Sequence, residues 1–142
     1  MDSKTDRWVV TWWYKNGVVH RDDDLPACVY SDGTAVWYKD GTVHRDNDLP
    51  AIIKPTVTKS DGTEEKGSRY WFKYGTCHRL GGQPAVISSD GRTRYMKQGK
   101  ECYPSQAVGQ DTPEFWKPIL DELDRKKLEL AERKIRRMNV SL

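Results

Sequence analysis

Up to Tyr103 the chain alternates short apolar runs with turn dipeptides. Runs such as "ACVY" from Ala27 and "TAVWYK" from Thr34 are too short for helices and carry the β-branched and aromatic bias of strands. Between such runs stand Asn16-Gly17, Asp32-Gly33, Asp40-Gly41, Asp61-Gly62 and Asp90-Gly91. Dipeptides of this kind reach positive φ cheaply and close tight hairpins. Past Tyr103 the pattern changes. Polar "PSQAVGQD" reads as a linker over 104–111, and the remainder predicts a helix over 112–140. Thr112 is placed to cap it, with Pro113 at the first helical position and Glu114 in the first turn. Acid-before-base pairs recur four residues apart, at Asp121–Arg125, Glu122–Lys126, Glu129–Arg133 and Glu132–Arg136. Pro118 predicts a kink or a later start. One apolar patch is Trp116, Ile119, Leu120 and Leu123, expected to cover a face of the sheet. A second, Leu128, Ala131, Ile135 and Met138, follows at helical spacing. Asp124 and Lys127 interrupt the seam between them, which is too short and too broken for a coiled coil.

The strand region repeats. "WYKNGVVHRDDDLPA" starts at Trp13, "WYKDGTVHRDNDLPA" at Trp37 and "WFKYGTCHRLGGQPA" at Trp71, and a degenerate "YMKQGKECY" starts at Tyr95. The steps are 24, 34 and 24 residues. In the long step, the ten extra residues divide into five before Ser60-Asp61-Gly62 and five after it. A hairpin lengthened equally on both arms keeps cross-strand register, and a random insertion does not. The segment 54–69 is therefore predicted to be a protruding hairpin, splayed near its base by Pro55. The repeats predict a mainly β protein with a C-terminal α-helix. Three units and a degenerate cap would form an elongated antiparallel sheet over 1–103, with Trp13, Trp37, Trp71 and Tyr95 as its stacked row.

"HRDDDL" resembles a protein-kinase catalytic loop, but it occurs twice. The Asn that such a loop needs five residues after its Asp is Ala27 or Ala51, and no Gly-rich nucleotide loop is present. The recurring His20, His44 and His78, with Arg21, Arg45 and Arg79, read instead as a structural ladder. The imidazoles would bond turns, and the arginines would pair with Asp22 or Asp46.

The frame aromatic-Lys-x-Gly-x-x-His-Arg, then Pro-Ala, then Ser-Asp-Gly resembles the variant MORN-like repeats of bacterial, bacteriophage and giant-virus proteins. The resemblance covers about Trp8–Tyr103. It departs from the family at Leu25, Leu49 and Gln83, where Gly usually precedes Pro, and at Cys102-Tyr103, which replace His-Arg. It implies β-hairpin units that serve as scaffolds and binding surfaces rather than catalysts.

Composition narrows the function. Net charge is +3, from 24 basic and 21 acidic residues, which is too mild and too mixed to point to nucleic acid. The segment from Asp111 carries 8 basic and 7 acidic residues. No apolar run approaches bilayer length, and "MDSKTDRW" lacks a signal-peptide core, so a cytoplasmic location, or a host cytoplasm for a viral protein, is expected. Three scattered cysteines fit free thiols better than a disulfide framework or a zinc site. No catalytic set, metal site or cofactor is expected. The expected function is a non-enzymatic protein-interaction module, of the kind by which a phage or virus inhibits or redirects a host protein. The partner surface would comprise Lys59, Asp61, Glu64, Glu65 and Lys66 on the hairpin, and Leu128, Ala131, Ile135 and Met138 on the helix, the latter also suited to a homodimer. Two alternatives are a nucleic-acid binder stacking bases on Trp12, Tyr14, Tyr38 or Tyr74 beside Lys15, Lys39 and Lys73, and a glycan-binding repeat.

Overall fold

A computed structural model describes residues 9–109 and 112–140, the last three of these by backbone alone. The chain divides after Gly109 into two units, a β unit and a helix.

The first repeat supplies β1 (Val10–Trp12), the small hairpin β2 (Tyr14–Lys15) and β3 (Val18–Val19), and β4 (Cys28–Tyr30). The second supplies β5 (Ala35–Val36), β6 (Tyr38–Lys39), β7 (Thr42–Val43) and β8 (Ile52–Ile53). β9 (Val57–Thr58) and β10 (Glu64–Glu65) are the inserted arms. The third repeat supplies β11 (Arg69–Tyr70), β12 (Phe72–Lys73), β13 (Thr76–Cys77) and β14 (Val86–Ile87), and the fourth supplies β15 (Thr93–Lys97) and β16 (Lys100–Cys102). The main sheet has eight strands in the order β1-β4-β5-β8-β11-β14-β15-β16. Every pairing is antiparallel, and one row runs Trp12, Cys28, Val36, Ile52, Tyr70, Val86, Arg94 across neighbouring strands. Cys28, Val36 and Val86 in that row are buried. The paired hairpins β2–β3, β6–β7 and β12–β13 leave the sheet at the backbones of Trp13, Trp37 and Trp71. Each of those residues donates its N–H to the alanine of its own Pro-Ala, at 2.8 Å in all three units. Ala27, Ala51 and Ala85 have no exposed surface, so the position accepts a methyl group and nothing larger.

The turns that close the hairpins are of two kinds. Asn16, Asp40, Tyr74 and Gln98 have φ of 54°, 50°, 49° and 50°, and the glycines after them are also positive, the pattern of a type I′ hairpin. In the Ser-Asp-Gly turns only the glycine is left-handed, and the aspartate accepts the N–H two residues on, at 2.8 Å for Asp32 and Thr34. Asp-Gly thus plays both roles, decided by the residues before it. Tyr74-Gly75 and Gln98-Gly99 lack the usual Asn or Asp and escape a motif search.

The segment 54–69 forms the expected hairpin. β9 pairs β10, with Glu64 opposite Thr58 and Glu65 opposite Val57, and β8 pairs β11 beneath them. Between these pairs, Lys54 N–H donates to Ser68 C=O at 2.9 Å, and Gly67 N–H donates to Thr56 Oγ1 at 3.3 Å. A Cβ at Gly67 would stand 1.6 Å from the Lys54 carbonyl oxygen, so only glycine allows this approach.

The expected linker begins as part of the β unit. Pro104–Gln106 form a 3-10 turn, closed by Tyr103 N–H to Gln106 Oε1 at 2.9 Å. Buried Ala107 accepts the Gly82 N–H at 2.7 Å. Residues 110 and 111 of that segment lie outside the described residues. The helix α1 (Pro113–Val140) starts where its signals place it, with Thr112 Oγ1 accepting the Phe115 N–H at 3.3 Å. Pro118 is accommodated within it. Arg125 bonds Glu122 and Glu129 rather than the expected Asp121, which instead pairs with Lys117 at 3.2 Å.

Candidate functional site

The His-Arg-Asp loops form an interlocked ladder between units. The Asp40 N–H donates to His20 Nδ1 at 3.0 Å, Tyr74 N–H to His44 Nδ1 at 3.0 Å, and Gln98 N–H to His78 Nδ1 at 2.8 Å. Each imidazole therefore accepts from the type I′ turn of the following unit. With Nδ1 accepting, the proton sits on Nε2, which faces Asp22 from His20 at 2.9 Å and Asp46 from His44 at 2.7 Å. Backbone bonds run alongside, from Gly41, Gly75 and Gly99 N–H to Val19, Val43 and Cys77 C=O.

The arginines depart from expectation. Arg45 leaves Asp46 to His44 and takes both oxygens of Asp24, at 3.0 and 3.2 Å. Arg79 takes both oxygens of Asp48, at 2.9 and 3.1 Å. Leu80 stands where the other units have Asp22 and Asp46. Each arginine lies over the tryptophan of its own unit, 3.9 Å for Arg21 on Trp13, 3.8 Å for Arg45 on Trp37 and 4.0 Å for Arg79 on Trp71. Trp37 and Trp71 donate their indole N–H to the carbonyls of Asp24 and Asp48, both at 3.0 Å. The predicted row of stacked rings is therefore replaced by guanidinium over indole. Among the described residues no ring contact joins Trp13, Trp37 and Trp71 to one another; each carries its own arginine instead. Tyr95, fourth in the row, lies half-buried in β15 opposite Cys102. Ring contacts form instead between Trp12 and Tyr38 at 6.0 Å and between His44 and Tyr74 at 4.3 Å.

The electrostatics fit a structural role. Burial pushes His44 below the usual histidine range, against the opposing pull of Asp46. Asp46 is held low despite partial burial, chiefly by the His44 hydrogen bond. Cys77 is pushed up to about 11 by burial, and Cys28 is raised for the same reason. Lys15 and Asp22 pair at 2.9 Å, and Lys39 and Asp46 at 3.8 Å. A groove of about 190 Å³ runs between the first two loops, lined by His20, Asp22, Trp37, Lys39, His44 and Asp46. Among the described residues, no three His, Cys, Asp or Glu side chains converge as a metal site, and no helix is long and apolar enough to cross a membrane.

The expected hairpin surface divides in two. Asp61 is spent on its own turn, accepting from Thr63 N–H at 2.9 Å and Thr63 Oγ1 at 2.6 Å, bonds that lower its pKa. Lys59 pairs with Glu65 at 3.4 Å. Glu64 and Lys66 are exposed and have no ion-pair partner among the described residues. Val57 beside them is 52% exposed, an apolar position the charge pattern did not single out. On α1, Leu128 and Ile135 are 63% and 57% exposed and Ala131 is exposed with them. Leu130 is exposed as well, outside the predicted stripe. The side chain of Met138 lies outside the described residues.

Comparison with family models, curated proteins and solved structures finds no match to this chain.

Proposed function

We propose that the chain is a non-enzymatic protein-interaction module whose repeats present a hairpin and whose helix presents an apolar face. One observation carries this reading. The histidines, arginines and aspartates that resemble catalytic groups are mostly engaged within the repeat ladder, whereas the hairpin and the helix each carry exposed side chains, Val57, Glu64 and Lys66 on one and Leu128, Ala131 and Ile135 on the other, that the ladder does not use. Val57, Glu64 and Lys66 offer one apolar and two charged contacts on a two-stranded arm. Leu128, Ala131 and Ile135 offer the i, i+3, i+7 anchors that a groove in a partner protein accepts.

A nucleic-acid reading has less support. Tyr14 is exposed and suits base stacking, but Lys15 and Lys39 are already neutralised by Asp22 and Asp46.

Affinity purification with the full chain, followed by mass spectrometry, tests the proposal when run beside two variants. One lacks residues 55–59 and 63–67; the other carries Leu128→Glu and Ile135→Glu. Recovery of a stoichiometric protein that at least one variant fails to retain is expected. Equal recovery by all three chains overturns the reading.

A further inference from the structure

Among the described residues, the first rung of the ladder lacks the acidic half that the later rungs have. Arg21 lies over Trp13 and donates from Nη1 to the Pro26 carbonyl at 3.2 Å. Arg45 makes the same bond to Pro50, and Arg79 to Pro84, both at 3.1 Å. The stack and this bond fix the guanidinium plane in all three units. In Arg45 and Arg79 the remaining Nε and Nη2 edge grips an aspartate of the preceding unit. Arg21 presents the same edge, and among the described residues no carboxylate meets it.

The neighbouring groups repeat the pattern. The indole N–H of Trp37 and Trp71 bonds the carbonyl of the same aspartate whose carboxylate the arginine holds. That of Trp13 has no such acceptor among the described residues. The Asp40, Tyr74 and Gln98 N–H groups reach a histidine of the unit before, and Asn16 has no such partner among the described residues. The groups left over at this end are donors.

We infer that this end is a docking site for an aspartate-bearing turn of a partner protein. The carboxylate seats on Arg21 Nε and Nη2, and the carbonyl of the same residue accepts the Trp13 indole N–H. The chain shows the ligand's shape twice, in Asp24 and Asp48, left-handed residues with φ of 54° and 56° that aim carboxylate and carbonyl the same way. A second copy does not supply the ligand. Its own Asp24 and Asp48 are held by Arg45 and Arg79, and its last units carry Gly82 and Cys102 where the acceptors would stand. The inference rests on the reading of the chain as an interaction module only in taking the partner to be a protein, and it uses neither the hairpin nor the helix.

The test screens the full chain against a displayed library of disulfide-closed eight-residue peptides. Enrichment of aspartate-containing turns is expected. Their affinity should fall about tenfold or more in both Arg21→Gln and Arg21→Lys, because lysine keeps the charge and loses the fork. Lys39→Gln should bind as the parent chain does. In the unsubstituted protein, the Arg21 Nε–H resonance should move on peptide addition toward those of Arg45 and Arg79, a readout independent of how the variants fold. A library without Arg21-dependent acidic binders, full binding by Arg21→Lys, or an unmoved Nε–H overturns the inference. So does inorganic phosphate that shifts the resonance at lower concentration than the peptide, or self-association that Arg21→Gln abolishes.

Discussion

Arg45 grips the carboxylate of Asp24, 21 residues before it, and not that of Asp46 beside it in sequence. The consequence is a continuous chain of contacts, in which Arg45 and Arg79 each hold the preceding unit's loop while resting on the indole of their own unit. Asp24 tolerates a left-handed φ to make this possible, a conformation that costs about 1 kcal/mol for most residues. Where no arginine follows, at Gly82, the aspartate gives way to glycine. A double-mutant cycle with Asp24→Asn and Arg45→Gln should yield a coupling of about 1 kcal/mol, at the low end for charge-assisted bonds because Asp24 is half-exposed. Urea denaturation of the four chains measures it, and zero coupling would mean the contact is only geometric.

Acid should loosen the ladder at His44. Its folded pKa lies below the ordinary 6.5, because burial penalises the charged ring. The unfolded chain therefore takes up a proton that the folded chain resists. Stability from this site is complete above pH 6.5 and drains as the pH falls from there toward the folded value. Urea midpoints at pH 7.5 and 5.5 should differ in that direction, and His44→Asn should flatten the difference.

The hairpin should be dispensable for folding. Deleting 55–59 and 63–67 restores the 24-residue step of the other units and keeps Ser60-Asp61-Gly62 as the turn. β8 and β11 already pair beneath it. The melting temperature is expected to stay within about 5 °C of the parent, a change worth roughly 1 kcal/mol in a domain of this size. Calorimetry decides it, and a collapse in Tm would show the arm to be structural.

Gly67 should not tolerate a side chain. Its Cβ would overlap the Lys54 carbonyl, whereas a Cβ at Gly62 meets nothing within 4 Å and contends only with a φ of +88°. Gly67→Ala is expected to cost about 3 kcal/mol or more and Gly62→Ala about 1 kcal/mol. Equal losses in chemical denaturation would contradict the close approach.

Cys77 should react slowly. With its thiol pushed up to about 11 by burial, its thiolate fraction at pH 8 is roughly a hundredfold below that of an ordinary exposed thiol. Alkylation followed by mass spectrometry should show Cys77 labelling slowly in the native chain and roughly a hundredfold faster in guanidinium. Rapid native labelling would place the sulfur at the surface.

Much of the architecture was readable in one dimension. Periodic Trp, His-Arg and Pro-Ala positions report hairpin units, because each unit solves the same local problem with the same residues. The equal five-residue arms around Ser60-Asp61-Gly62 report a hairpin, because antiparallel pairing couples the two lengths. Thr112 and Pro113 report a helix start through backbone donors that any helix leaves unpaired. Tyr74-Gly75 was missed because an aromatic residue seldom takes φ of 49°; here the N–H bond to His44 and the ring contact hold it there.

Which partner each side chain chose was settled only in three dimensions. Asp22 and Asp24 stand two positions apart in the same acidic run, yet one binds an imidazole of its own unit and the other a guanidinium of the next. The run itself does not distinguish them. Arg45 rests on Trp37 within its own unit, and stacking the units brings it within reach of Asp24, a placement that depends on how one hairpin seats against another. Local chemistry selects the hairpins and turns because their bonds close within a few residues. The ladder closes across some twenty to thirty residues, so its pairings exist only once the units have packed.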